Sequence, residues 1–165
     1  MARDTLKVLA KRIGACLKKR KLKLATAESC TGGWIAQAVT SVSGSSGWFD
    51  RGFVTYSNEA KSELLGVRAS TLSRHGAVSA QTAKEMAAGA LRRSRAQVAI
   101  AVTGIAGPGG GTRAKPVGMV CFAWAGKKGG AQSAVRRFAG GRESVRRQSV
   151  VVALRGLLER LDEQQ

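Results

Sequence analysis

Hydrophobic positions in this chain change their period several times, and each change indicates a different element. A stripe of apolar residues recurs three and four positions apart among Lys and Arg, which predicts an amphipathic helix over about residues 3–19. That stripe consists of Leu6, Leu9, Ile13 and Leu17. Asn58 and Ser79 are polar residues suited to capping, so each is expected to begin a further helix. Two more helices are predicted over 34–40 and about 143–161.

Runs of apolar and β-branched residues between these segments predict strands. They lie at 22–27, 52–56, 97–102, 117–125 and 134–138. The run 97–102 is almost continuously apolar, as expected of a central strand that is covered on both faces. Gly126 to Gly130 is suited to a hairpin between the last two strands. Strands that alternate with helices indicate a layered α/β domain.

Length and composition limit the classes of protein that fit. With 165 residues, 44% of them hydrophobic, the chain is expected to form one domain over residues 1–165. No apolar run reaches the length of a signal peptide or a membrane span, so we expect a cytoplasmic protein without a membrane partner. Three widely spaced cysteines and a single histidine argue against a metal site and against a disulfide framework.

The net charge of +18 is extreme and unevenly distributed. Residues 1–23 contribute +8, whereas residues 24–90 are neutral, with five basic and five acidic side chains. A basic surface attracts nucleic acids, anionic membranes and phosphorylated small molecules alike. The chain has few aromatic residues to stack on bases, so nucleic acid is an open but not a favoured partner.

Two loops that follow predicted strands, 29–33 and 103–111, are the candidates for chemistry. Ligands in open α/β sheets bind beyond the carboxyl ends of strands, so both loops are expected at one cleft. Ser29 at a strand-to-helix junction could cap the helix or act as a nucleophile. For attack, the amides of Cys30, Thr31 and Gly32 would stabilise an oxyanion, and Gly32 with Gly33 would admit a substrate close to the backbone.

A serine nucleophile also needs a base. His75 has no visible tie to Ser29 or to a carboxylate, which argues against a histidine triad. Lys61 is the alternative if burial keeps its amine neutral, although an ordinary solvated lysine remains open. The loop 103–111 matches neither the phosphate-binding nor the dinucleotide-binding glycine motif, so no cofactor is expected.

Seven modest motifs nevertheless occur in one order. They are AESCTGG at 27–33, GSS at 44–46, 52–61, LGV at 65–67, GAVS at 76–79, TGIAGP at 103–108 and KPVG at 115–118. Together they resemble the CinA C-terminal domain family of competence/damage-inducible proteins, whose stand-alone members are nicotinamide-nucleotide amidases. The resemblance spans about residues 5–160. It implies a three-layer α/β/α sandwich with a mostly parallel or mixed central sheet, which is commonly homo-oligomeric.

The resemblance also implies an activity, the hydrolysis of nicotinamide mononucleotide to nicotinate mononucleotide and ammonia without metal or cofactor. Ser29 would be the nucleophile, Lys61 its base and Tyr56 a proton relay or orienting group. The substrate or oxyanion would be bound by Cys30, Thr31, Gly32, Gly33, Ser46, Thr103, Gly104 and Arg142, the last of which could hold the phosphate. The alternative is a basic nucleic-acid-binding or competence-associated module without catalytic activity.

Overall fold

A computed structural model describes residues 2–164 of the chain. The strands are β1 (Leu24–Glu28), β2 (Phe49–Val54), β3 (Val98–Gly104), β4 (Met119–Gly126) and β5 (Gly130–Arg137). The α-helices are α1 (Ala2–Arg20), α2 (Trp34–Thr40), α3 (Asn58–Leu65), α4 (Ala69–His75), α5 (Ala80–Arg92) and α6 (Arg142–Glu163). A short 3₁₀ turn, Ser45–Gly47, precedes β2.

The five strands form one mixed sheet in the order β2-β1-β3-β4-β5. β1 pairs in parallel with both β2 and β3, so that Glu28 lies opposite Val54 on one side and Val102 on the other. β4 and β5 form an antiparallel hairpin that extends the sheet beyond β3. Three adjacent strands therefore end at the same edge of the sheet, which is where ligands bind in this class of fold.

Side-chain size alternates along the central strands and separates the two layers of helices. Large residues such as Ile100 and Phe122 point to the face covered by α1, α2 and α6. Alanines such as Ala99, Ala101 and Ala123 point to the face covered by α5. Because successive residues of a strand face opposite sides, this alternation fills one layer with bulky contacts and lets α5 pack closely on the other. The expected three-layer α/β/α sandwich with a mixed sheet is confirmed.

Most predicted elements are found within two or three residues of their expected ends. The fifth strand is the exception, since it begins at Gly130, four residues before the predicted 134–138. The second strand is shifted as a whole toward the N-terminus and runs over Phe49–Val54 rather than 52–56. The second strand lies at the edge of the sheet, where Arg51 reaches solvent and Asp50 falls at an irregularity in the pairing: Leu24 lies opposite Phe49, and Ala25 opposite Arg51. Helix α4 was not predicted, because it has no apolar stripe and buries only Thr71.

Two local features tie helix α3 to the rest of the fold. Its cap is Ser57 rather than the predicted Asn58, since the Ser57 hydroxyl accepts a hydrogen bond from the amide of Ala60. Gly89 of α5 lies against the end of α3, where an added Cβ would be 1.9 Å from the carbonyl oxygen of Leu65. Within residues 2–164, none of the helices has the length and apolar character needed to cross a membrane.

Candidate active site

The carboxyl ends of β1, β2 and β3 lie side by side and open into a cleft of about 270 Å³. Ser29 follows β1, and Thr55 and Tyr56 follow β2. Thr103 is the last residue but one of β3. The amide of Ser29 donates to Val102 (3.0 Å) and the amide of Thr55 donates to Glu28 (2.8 Å), which joins the three strand ends. The loop over residues 104–110 and the start of α6 complete the wall.

Ser29 lies in a tight turn and not at the start of the helix. The amide of Gly32 donates to the carbonyl of Ser29 at 3.0 Å, and helix α2 begins only at Trp34. Gly32 and Gly33 take φ values of +59° and +102°, which glycine adopts without strain. The interpretation of Ser29 as a helix cap is therefore wrong, and its hydroxyl is left available for chemistry.

Helix α2 is capped by Glu28, a buried carboxylate that was not among the site residues predicted from the sequence. Its oxygens accept hydrogen bonds from the amides of Ile35 (2.8 Å) and Ala36 (3.1 Å) and from the hydroxyl of Thr31 (2.7 Å). A carboxylate at a helix amino terminus is favoured by the helix dipole and by the free amides of the first turn. Glu28 thus fixes both ends of the turn that carries Ser29.

Lys61 of α3 reaches the hydroxyl of Ser29 from inside the protein. Its Nζ donates to Ser29 Oγ at 2.9 Å and to the carbonyl oxygen of Thr55 at 2.8 Å. The side chain is only 1% exposed, and Ser29 is 8% exposed. Burial lowers the pKa of Lys61 below that of an ordinary lysine, because the desolvated ammonium form is disfavoured.

Cys30, next to Ser29, differs from a reactive thiol. Burial raises the pKa of its thiol to about 12, although Arg146 opposes the shift. The thiolate is the nucleophilic form, so Cys30 is unsuited to attack at neutral pH. Its backbone amide and that of Thr31 remain candidate oxyanion donors, whereas the amide of Gly32 is used within the turn.

Arg142, at the start of α6, bridges two walls of the cleft. Its Nη1 donates to the carbonyl oxygen of Gly107 at 2.8 Å, and its Nη2 donates to the hydroxyl of Tyr56 at 2.9 Å. Both Arg142 and Tyr56 are exposed at the mouth of the cleft. The hydroxyl of Tyr56 is therefore paired with Arg142, and the direct contact between Lys61 and Ser29 requires no relay through it.

The remaining candidates fall into two groups. Thr103 is buried and donates to the carbonyl of Ala77 at 2.9 Å, and Gly104 lines the cleft, where a Cβ would meet Met119 and Val120 within 3 Å. Ser46 lies elsewhere, because the turn before β2 is at the opposite end of the parallel strands, beside Lys11.

Two side chains outside the predicted set complete the surroundings of the nucleophile turn. Glu28 belongs to the motif AESCTGG at 27–33, but no sequence rule distinguishes a buried carboxylate at a strand end from one on the surface. Arg146 follows Arg142 by one helical turn and donates to the carbonyls of Cys30 (3.0 Å) and Thr31 (3.1 Å). The spacing of four between the two arginines was the signal available in the sequence. His75, by contrast, is exposed at the end of α4.

Comparison with known proteins gives full-length relatives. A model of the CinA C-terminal domain matches residues 6–161. Nicotinamide-nucleotide amidohydrolase PncC from Escherichia coli (strain K12) is 50% identical over 157 residues, 95% of each chain. The protein of that name from Enterobacter agglomerans is 54% identical over 158 residues, 96% of each chain. Among solved structures, the competence/damage inducible protein CihA from Agrobacterium tumefaciens matches with a TM-score of 0.93 at 50% identity, over 96% of each chain.

Proposed function

This chain belongs to the CinA C-terminal domain family, and we propose that it is an amidohydrolase that converts nicotinamide mononucleotide to nicotinate mononucleotide and ammonia. The observation that carries the proposal is the 2.9 Å contact between Lys61 Nζ and Ser29 Oγ. It couples a hydroxyl at the floor of a cleft to an amine whose pKa is lowered by burial. Two relatives that match over nearly their whole length carry the corresponding name, nicotinamide-nucleotide amidohydrolase.

The acylation step begins with Lys61 as a neutral amine. One N–H of the amine stays on the carbonyl of Thr55, which leaves the lone pair to accept the proton of Ser29. Ser29 Oγ then bonds to the carboxamide carbon, and the negative charge that develops on its oxygen is stabilised by backbone amides such as those of Cys30 and Thr31. The protonated Lys61 then donates this proton to the amide nitrogen. The C–N bond breaks, ammonia departs, and the acyl group remains as an ester on Ser29.

Deacylation uses the same groups in reverse. Lys61, neutral again, accepts a proton from a water molecule as the water oxygen bonds to the ester carbon. Collapse of the second tetrahedral intermediate breaks the bond to Ser29 Oγ, which takes the proton back from Lys61. The carboxylic acid formed releases its remaining proton to solvent, and nicotinate mononucleotide leaves with a free carboxylate. No step is assigned to a metal or a cofactor.

The mouth of the cleft supports a phosphorylated substrate. Arg142 has two donors engaged with Gly107 and Tyr56, and its guanidinium retains further N–H groups for a phosphate. The exposed ring of Tyr56 adds a flat surface beside it. We therefore propose that Arg142 and Tyr56 hold the nucleotide end while Ser29 meets the carboxamide. The pyridinium charge of the substrate assists attack because it withdraws electrons from the carbonyl.

An assay of ammonia release from nicotinamide mononucleotide tests the proposal, with free nicotinamide as the matched control that lacks ribose and phosphate. We expect rapid release from the mononucleotide and little from nicotinamide. Hydroxylamine added to the reaction should divert the acyl group to a hydroxamate, since it competes with water for the ester on Ser29. Absence of ammonia would contradict the proposed activity. Ammonia release without hydroxamate would contradict the acyl-enzyme step.

The nucleic-acid-binding alternative stays a prediction that rests on the +18 charge. It requires affinity for DNA or RNA that falls steeply with salt concentration and survives the change Ser29→Ala. Fluorescence anisotropy of a labelled oligonucleotide, titrated at two salt concentrations, separates this alternative from the amidase proposal.

A further inference from the structure

We infer that Arg146 is a positioning residue that polarises the peptide groups of the nucleophile turn, defined here as residues 29–33. The inference rests on the proposed function, since it concerns the same oxyanion site. Arg146 Nε donates to the carbonyl oxygen of Cys30 at 3.0 Å, and Nη2 donates to that of Thr31 at 3.1 Å. A single planar guanidinium thus holds two successive peptide groups of the turn.

The effect follows from the covalent connection between carbonyl and amide. The carbonyl of Cys30 belongs to the same resonant peptide unit as the amide N–H of Thr31. A cation hydrogen-bonded to the carbonyl oxygen draws electron density toward that oxygen, which makes the N–H a stronger donor. The amide of Thr31 is one of the two candidate oxyanion donors, so Arg146 strengthens it without touching the substrate.

Local packing keeps the guanidinium in this position. It lies over the ring of Trp34, with its central carbon 5.5 Å from the ring centroid, within the range of a cation–π contact. Gly32 leaves the necessary room, because a Cβ at that residue would be 3.3 Å from Arg146 Nη2. Two features therefore favour glycine at residue 32: its positive φ and the close approach of Arg146.

Arg142 and Arg146 have different surroundings although they lie one turn apart on α6. Within the described part of the chain, the residues that line the cleft include Arg142 but not Arg146. Arg142 contacts Tyr56 and the loop at Gly107, whereas Arg146 contacts only the backbone of the turn and Trp34 among the contacts given for it. Removal of Arg146 should therefore change kcat more than KM, because Arg146 is not among the residues that line the cleft.

The test compares Arg146→Gln and Arg146→Lys with the matched control Arg155→Gln, which removes one charge from an exposed position of the same helix. The first readout is the amide proton chemical shift of Thr31 by NMR, which needs no substrate. We expect an upfield shift in Arg146→Gln, a smaller one in Arg146→Lys, and none in Arg155→Gln. If Arg146→Gln fails to fold, Arg146→Lys still supplies the reading.

The second readout is the reactivity of Ser29. Phosphonylation by a fluorophosphonate uses the same oxyanion donors as the amide reaction, so its rate should fall roughly tenfold in Arg146→Gln. The kcat for ammonia release should fall by a similar factor, with partial recovery in Arg146→Lys. An unchanged Thr31 shift, or a shifted amide with an undiminished phosphonylation rate, would overturn the inference. A wild-type protein that is phosphonylated at Ser29 but releases no ammonia would contradict the proposed substrate only. The role of Arg146 would then still be tested by the Thr31 amide shift and the phosphonylation rate.

Discussion

Replacement of Glu28 by glutamine should both destabilise the protein and slow its reaction. The carboxylate of Glu28 is 1% exposed and accepts three hydrogen bonds, from Thr31, Ile35 and Ala36. Glutamine has nearly the same size and shape, so packing in the core is preserved. Its amide oxygen can replace Oε1, which serves Thr31 and Ile35, but its NH₂ group then faces the amide of Ala36, a second donor.

The cost can be worked from these contacts. A hydrogen bond to a charged group contributes about 1.5–3 kcal/mol, and a buried donor left unpaired costs a similar amount. The loss of one such bond, with weakening of the other two, gives roughly 3 kcal/mol. For a chain of this length each kcal/mol lowers Tm by about 2–4 °C, so we expect a decrease of roughly 6–12 °C.

Thermal unfolding followed by circular dichroism measures this change, with Thr31→Val as the matched control. That variant removes one donor and leaves the carboxylate paired with both helix amides, so it should lower Tm by about half as much. Glu28→Gln should also reduce ammonia release, because the turn that carries Ser29 loses its anchor. A Glu28→Gln protein that melts within 2 °C of the wild type, or about as high as Thr31→Val, would refute the reasoning.

Three further changes test other parts of the account. Lys61→Met should reduce kcat at least about 10³-fold, and the wild-type rate should rise with pH to an inflection below the usual lysine pKa, because only the neutral amine is active. Unfolding of the wild type should become harder as pH rises between the folded and unfolded pKa values of Lys61, an increment that calorimetry should not find in Lys61→Met. Arg142→Gln should raise KM for the mononucleotide about 10- to 100-fold with a smaller effect on kcat, measured by steady-state kinetics. Gly89→Ala should lower Tm although alanine favours helices, because its Cβ would lie 1.9 Å from the carbonyl of Leu65.

The fold could be predicted largely because its signals are local and repeated. The apolar stripe of α1 and the continuous run of β3 determine their elements through periodicity alone. The predicted bounds of strand β2 were wrong because its edge position tolerates Asp50 and Arg51, which do not look like strand residues in the sequence. An edge position is a property of the whole sheet. Helix α4 escaped prediction for a related reason, since only Thr71 is buried and the tertiary structure around the segment has to stabilise it.

The site depended on contacts that join distant parts of the chain. Ser29 and Lys61 are separated by 32 positions, and nothing in the spacing of the two residues requires them to meet. Their pairing was suggested by the family resemblance, whereas the buried environment that lowers the pKa of Lys61 arises only in the folded protein. Arg146 lies 116 positions from Cys30, so its role could not be derived from the nucleophile motif.

Ammonia release by a folded Ser29→Ala protein is the measurement that bears most directly on the proposed mechanism. The variant removes only the hydroxyl that Lys61 contacts at 2.9 Å, and an unchanged melting transition would show that the fold is retained. With nicotinamide mononucleotide as substrate, we expect turnover to fall by at least about 10³-fold, because no other nucleophile is activated in the cleft. Release of ammonia by Ser29→Ala at the wild-type rate would contradict the account.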